Sequence, residues 1–323
     1  ERRVGFMRGI VLRHGPAVRT SGQIGGQAGM RDNVPVARRG CQGPDRGRAA
    51  ERRDCVDEVD DMSLETYYRD HWVEIEPERL DRYEEMFVWS DTQDPLIAPA
   101  EVRAGHTVAD FGCGPGYLSV ELLSRVGSQG RVHALDVNET FLARTAARAK
   151  AEGNDAASRL STHHLVDGRI PLDSESVDRV IAKNVMVYVD DPIETFREFA
   201  RIVRPGGRVH AIDSDFLMSV ADPIPAMTWR AFIDAAAPAF RTPSIGRQLY
   251  RLAREAGFEE VEVKVLARPD TKGRMMNFIR NAAGYARMSG KMPEAEIDAV
   301  VRQAHEAVSE QRFMALNPQF MVT

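Results

Sequence analysis

Asp110-Phe111-Gly112-Cys113-Gly114-Pro115-Gly116 is the stretch whose reading decides the fold. The run Thr107–Phe111 before it is short and apolar, as a buried strand is, and Leu118–Val126 after it has the spacing of an amphipathic helix. Glycines between a strand and a helix let the backbone turn tightly and approach a ligand without Cβ clashes. Two phosphate-binding readings fail on spacing. A dinucleotide fingerprint, G-x-G-x-x-G, counted from Gly112 requires glycine where Tyr117 stands. A nucleoside-triphosphate loop requires Gly-Lys-Ser/Thr, which does not occur here. What remains is G-x-G-x-G with an acid, Asp110, two residues upstream.

Working outward, strand and helix alternate. Arg131–Asp136 reads as a strand, Glu139–Glu152 as a helix stopped by Gly153, and Leu160–Leu165 and Val177–Ala182 as strands. Ile193–Val203 reads as a helix closed by Pro205-Gly206-Gly207, followed by a strand at Arg208–Asp213. This βαβα alternation predicts a mostly parallel sheet covered on both faces. Right-handed crossovers then put every strand's carboxyl end on one edge, where ligands bind. Asp136 ends the second strand, and a carboxylate there can accept both hydroxyls of a ribose.

The final third is less regular. Pro225–Ala237 and Ile245–Ala256 read as helices, with Gly257 closing the second. Glu259–Leu266 alternates apolar and charged residues as a half-exposed strand does. Residues 275–311 read as helices around a Met292-Pro293 break, and Phe313–Val322 as the last strand, with a bulge or turn at Asn317-Pro318.

The amino-terminal residues differ in kind. Residues 1–61 hold twelve arginines, nine acids and no lysine, without apolar periodicity. Such a composition predicts disorder, and Met62 makes a sensible start. Residues 63–90 read as two helices, the first capped by Ser63 and carrying Leu64, Tyr68, Trp72 and Ile75. Tyr67, Tyr68, Trp72, Tyr83 and Phe87 make this segment aromatic. The domain plan is therefore a disordered Arg/Gly-rich extension at 1–61, a helical lid at 62–99, and a main domain at 100–323. Helical insertions fall at about 216–243 and 270–311.

The glycine segment resembles the first motif of the class I S-adenosylmethionine-dependent methyltransferases. Asp167-Gly168 and the stretch Ile170-Pro171-Leu172-Asp173-Ser174-Glu175-Ser176-Val177-Asp178 resemble the family's "GDA…LPF…FD" pattern, with Val177 where many relatives carry Phe. Arg201-Ile202-Val203-Arg204-Pro205-Gly206-Gly207-Arg208 resembles its "L+PGG" turn. The nearest branch is the ubiquinone/menaquinone-biosynthesis type. The resemblance implies a Rossmann-like seven-stranded sheet and S-adenosyl-L-methionine as cofactor. It implies a cofactor site of Asp110, Gly112, Cys113, Gly114, Gly116, Asp136, Val137, Asp167, Gly168 and Asn184. In that set Asp136 takes the ribose, Asp167 the adenine amino group, and Asn184 stands near the methionine moiety. Asp178 opens the fourth strand.

The expected reaction is methyl transfer by direct displacement, with the protein supplying alignment. The aromatic lid predicts a small apolar or aromatic acceptor. Asp213, Asp215 and Tyr188 are the candidates for a base or orienting group. His71 lies in the lid; His133, His163 and His210 fall within strands. The net charge of −5 and 28% charged residues exclude a basic nucleic-acid-binding protein as a whole. No apolar run reaches membrane-spanning length. Cys41, Cys55 and Cys113 lack metal-ligand spacing, so no metal is expected and a reducing, cytoplasmic setting is. A homo-oligomer stays open, since the aromatic helix can cover its own pocket or a neighbour's. Two other readings compete: a cofactor-binding protein that does not methylate, as a regulator or cyclase, and an RNA methyltransferase using the Arg-rich arm.

Overall fold

The computed structural model describes residues 67–73, 75, 80, 84 and 87–323. The arm at 1–61 and the start at Met62 lie outside the described residues. Among the described residues, no helix is long and apolar enough to cross a membrane.

Five of the apolar runs pair side by side in one direction. They are β1 (Thr107–Phe111), β2 (Arg131–Asp136), β3 (Leu160–His164), β4 (Val177–Lys183) and β5 (Val203–Ser214). Four further strands follow: β6 (Val220–Asp222), β7 (Val263–Leu266), β8 (Met314–Leu316) and β9 (Gln319–Val322). β9 runs antiparallel between β5 and β7, which completes a seven-stranded sheet in the order β3-β2-β1-β4-β5-β9-β7. The chain moves outward from β1 through β2 to β3, then returns to lay β4 on the other side of β1. That reversal opens a crevice at the carboxyl ends of β1 and β4.

Alternation along the strands sends successive side chains to opposite faces. Ala109, Val180, Ala182 and Ala211 face a core closed by α4 (Pro192–Ile202) and α6 (Ile245–Glu255), through Phe196, Phe199, Leu249 and Leu252. Val108, Val132, Ile181 and Ile212 face a second core with α2 (Tyr117–Val126), through Leu122, Leu123 and Val126. Ala149 of α3 (Glu139–Ala151) joins that second face. A third core lies off the sheet, where α5 (Ala226–Ala236), α7 (Met276–Ser289) and α8 (Glu294–Ser309) pack around Phe232, Ile279, Ile297 and Phe313. Caps set the helix starts: Asn138 accepts the Phe141 amide at 2.9 Å, and Asp191, with Pro192 next to it, accepts the Glu194 amide at 3.1 Å.

The insertion helices form as the periodicity requires, with breaks at Gly290 and Pro293. Besides a short helix at Asn154–Arg159 that the sequence reading did not contain, three elements differ from the sequence expectation. The run Phe313–Val322 is two strands in two sheets: Pro318 has no amide to donate and restricts Asn317, so the ladder ends at Leu316. β8 then pairs with β6 in a separate two-stranded sheet. β6 itself falls inside the stretch read as wholly helical. β5 begins at Val203 rather than 208, because Val203 pairs with Val177 across an irregularity at the Gly206 turn.

Beneath the carboxyl edge lie the buried Asp110 and Asp213 and the half-buried Lys183. Burial pushes Asp110 up to about 6 and Asp213 up to about 7. Burial lowers Lys183, against the pull of Asp110 and Asp213. Asp213 accepts the Val187 amide at 3.1 Å and the Ser214 amide at 2.8 Å, so this carboxyl fastens the turn after β4 to the end of β5.

Two outcomes follow from this interior. Phe199 is fully buried, its ring 5.0 Å from Phe111 and 5.6 Å from Phe196; Phe199→Ala costs about 3–5 kcal/mol in urea unfolding. Asp213 binds its proton more tightly in the fold than in the open chain. Its stabilising contribution is therefore complete below its ordinary 3.8 and is lost as pH rises through about 7. Asp213→Asn, which cannot ionise, gains stability relative to the parent as pH rises from about 4 to about 7. Melting curves across that range check it, and a difference independent of pH contradicts it.

Candidate functional site

β1 ends at Phe111 and the chain must turn at once into α2. Gly112, Gly114 and Gly116 all take positive φ there, at 70°, 53° and 88°. Two of them are also held by crowding. A Cβ on Gly112 would stand 2.3 Å from the Val185 side chain, and one on Gly116 would stand 2.7 Å from the Thr145 backbone. Gly114 is different: above it the nearest atoms are those of Phe87, 3.9 Å away. The middle of the loop thus offers bare backbone to whatever approaches.

The loop is tied to β2. Gly112 and Cys113 donate their amides to the Leu135 carbonyl at 2.8 and 3.0 Å, and Gly114 donates to Asp136 Oδ2 at 2.8 Å. Asp136 Oδ1 accepts the Asn138 amide at 2.9 Å. Burial raises the Asp136 carboxyl, against the backbone amides that favour its charged form. The Val137 amide also favours the charged form, and of the four acceptor positions on the two oxygens one is left. Asp110 stands below the loop and accepts from Ser119 at 2.6 Å. Cys113 is buried, and burial pushes its thiol well up, which suits a packed side chain rather than a reactive one.

Asn138 has a second task. Its side-chain amide donates to the Trp72 and Val73 carbonyls at 2.8 and 3.3 Å, fastening the end of α1 (Tyr67–Val73) beside the loop. Rings then continue away from α1. Trp72 meets Phe87 at 6.4 Å and Tyr188 at 5.1 Å, both edge-on. Tyr188 lies 6.0 Å from Phe240, which stacks on Phe216 at 4.3 Å. Tyr67 meets Tyr285 of α7 at 5.7 Å. His71 is buried between Tyr67, Trp72, Tyr188 and Tyr285. Its Nδ1 faces the Tyr67 carbonyl, which can only accept, so Nδ1 carries the proton.

The structure brings Asp110, Gly112, Cys113, Gly114, Gly116 and Asp136 together, with the half-buried Val137 beside them. Asn184 is exposed at φ 55°; its amide donates to Ile212, and its side chain accepts from Gln319 at 3.2 Å. Asp167 and Gly168 follow β3 on an exposed loop, both at positive φ. Tyr67 and Tyr68 are buried; Tyr68 donates to Asp190. Tyr83 lies outside the described residues. Asp215 is buried, pairs with Arg247 at 2.8 Å and accepts the Leu217 amide at 3.2 Å. Asp213 and Asp215 are thus both engaged in holding the chain, and Tyr188 is the base candidate that stands among the rings. Asp178 lies within β4 and accepts the Thr107 amide at 2.7 Å.

His210 is a core residue, its Nε2 donating to Leu96 and its Nδ1 meeting Thr323, both at 2.7 Å. His133 and His163 contact each other at 3.0 Å across β2 and β3. Among the described residues, no group of three or more candidate ligands could hold a metal. Sequence reasoning missed Asn138, Phe216, Phe240 and Tyr285. Asn138 had a local signal, a cap residue directly before a helix. The three aromatic residues had none, because their partners lie far away in the chain.

Residues 108–207 match a family model described as a methyltransferase domain. The methyltransferase GfsG of Streptomyces halstedii is 32% identical over 37% of this chain and 42% of its own length. A demethylmenaquinone methyltransferase of Oceanobacillus iheyensis is 28% identical over 50% of this chain and 74% of its own. The chain therefore spans less than half the length of the first of these relatives. Among solved structures, phosphoethanolamine N-methyltransferase 2 of Haemonchus contortus, in complex with S-adenosyl-L-methionine, aligns with a TM-score of 0.53. That alignment covers 79% of this chain and 59% of the other at 15% identity, a likeness of fold. The glycine loop and the carboxylate of β2 lie within the matched segment. Residues 108–207 carry a methyltransferase domain.

Proposed function

We propose that the protein transfers a methyl group from S-adenosylmethionine to a small apolar or aromatic molecule. The observation that carries this reading is the pairing of a bare glycine backbone at Gly114 with the Asp136 carboxylate beside it. That cradle fits the cofactor: at Gly114 a Cβ position meets nothing nearer than Phe87 at 3.9 Å, and the Asp136 carboxylate, with three backbone amides on its four acceptor positions, keeps one for a ribose hydroxyl. Bound cofactor supplies an activated methyl group on a sulfonium, open to direct displacement.

The chain's own residues do the rest. Gly112, Cys113 and Gly114 present backbone to the methionine portion, with Asp110 and Gly116 fixing the loop from below and behind. Val137 and Gly168 flank the adenosine, Asp167 binds its amino group, and Asn184 stands at the methyl end. Residues 62–99 act as a lid on the domain formed by 100–323, its rings excluding water from the acceptor. Tyr188, between Trp72 and Phe240, lines the acceptor side. The aromatic wall supports an uncharged ring as acceptor, and one relative is named for action on demethylmenaquinone. The chain's net charge of −5 supports a small molecule over a nucleic acid.

Calorimetric titration of S-adenosylmethionine into the full chain tests this. Asp136→Ala removes hydrogen bonds to a charged acceptor, each worth about 1.5–3 kcal/mol, and weakens binding at least about tenfold. Asp136→Asn, which retains an oxygen for the Gly114 amide, weakens it less. Equal affinity in all three proteins sinks the assignment.

A further inference from the structure

β7 ends the sheet in the order β3-β2-β1-β4-β5-β9-β7, and among the described residues no strand lies on its far side. Its register with β9 decides which groups face out. Glu262 and Thr323 exchange both backbone hydrogen bonds, at 2.9 and 3.0 Å. Antiparallel ladders alternate, so Glu262, Lys264 and Leu266 direct their amides and carbonyls to β9, and Val263 and Val265 turn theirs outward. These two valines share one face of the sheet and stay 44% and 51% exposed. Glu262 and Lys264 share the other face, with side chains 73% and 59% exposed. An exposed apolar edge of this kind is a template for another strand.

A lysine on an edge ordinarily repels a second copy of itself, so the register of any added strand is decisive. An antiparallel strand must bond to Val263 and Val265, which leaves few two-fold registers for a copy of β7. Centred on Lys264, pairing sets Lys264 against Lys264. Centred on Glu262, it sets Glu262 against Glu262, and Glu260, at φ 51°, has already left the extended strand. Centred on Val265, it sets Lys264 against Leu266 and carries Glu262 past the end of β7. Centred on Val263, it sets Glu262 of each copy against Lys264 of the other. These charged pairs fall between the hydrogen-bonded ones, where facing side chains come closest. Val263 then meets Val263 and Val261 meets Val265, so the opposite face becomes a continuous strip of valines.

We infer that β7 is a self-pairing edge, on which a second copy of this chain joins antiparallel about Val263, with Glu262 facing Lys264 across the two-fold axis. β7 lies three strands beyond β4 in the sheet, apart from the crevice at β1 and β4, so the inference does not rest on the methyltransferase reading.

Sedimentation velocity of the full chain between about 1 and about 100 µM should show monomer passing to dimer. Val263→Pro removes only an outward amide, leaves the bonds to β9 in place, and should keep the chain monomeric over that range. Lys264→Glu sets like charges across both pairs and should weaken dimerisation at least about tenfold, as should Glu262→Lys. Both substitutions in one chain restore opposite charges and should restore the dimer. Mixing the two single variants should give a heterodimer tighter than either homodimer. The Glu262–Lys264 pair within one chain, at 3.8 Å and exposed, adds little to the fold, so each charge variant should keep the parent's circular-dichroism spectrum. A parent that stays monomeric throughout overturns the pairing. So does a dimer indifferent to Val263→Pro, or a charge effect that neither the double exchange nor the mixture reverses.

Discussion

The Gly114 amide donates to the Asp136 carboxylate at 2.8 Å, and the arrangement above the sheet depends on where that bond holds the loop. A strand that must become a helix within five residues needs left-handed backbone, and only glycine takes it there without strain. The turn alone would be loose. Two amides on the Leu135 carbonyl and one on Asp136 lash it to the neighbouring strand. The same carboxylate positions Asn138, and Asn138 in turn caps α3 and anchors α1. One acidic residue thus sets loop, helix and cover together.

The sheet's interior reflects the same economy of space. Its two faces are filled by small and branched residues of the strands against the larger side chains of α2, α4 and α6. The buried carboxyls of Asp110 and Asp213 and the half-buried Lys183 gather beneath the carboxyl edge. Backbone amides after β4 turn inward to Asp213, so that edge is built from main chain as much as from side chains. Asp213 and Asp215, at and just beyond the end of β5, thus hold the chain, and Tyr188 stands among aromatic rings.

The inserted layer adds what the sheet lacks. α5, α7 and α8 make a core of their own, and Phe216, Phe240 and Tyr285 carry its contacts back to α1 and Tyr188. A separately packed layer can vary without disturbing the glycine loop. The family model follows this division, since it covers 108–207 and stops before the insertions.

The order of strands and helices from 107 to 214, the glycine turn and the acid at the end of β2 were legible in the sequence. Each is fixed by local spacing: period of apolar residues, positive φ, a cap beside a helix. The break at Asn317-Pro318 was visible as a break, but its consequence was not, because nothing local says that two halves of a run join different sheets. β6 was hidden for the same reason, being a strand only because β8 lies beside it. Asp213 and Asp215 looked alike in sequence. Only the tertiary structure gave one to backbone amides and the other to Arg247. The aromatic seam was the least legible part, since Trp72, Tyr188, Phe240 and Tyr285 come from four distant segments and meet through packing that no periodicity encodes. Local backbone constraints wrote the glycine loop into the sequence, and long-range burial alone chose the rings around Tyr188.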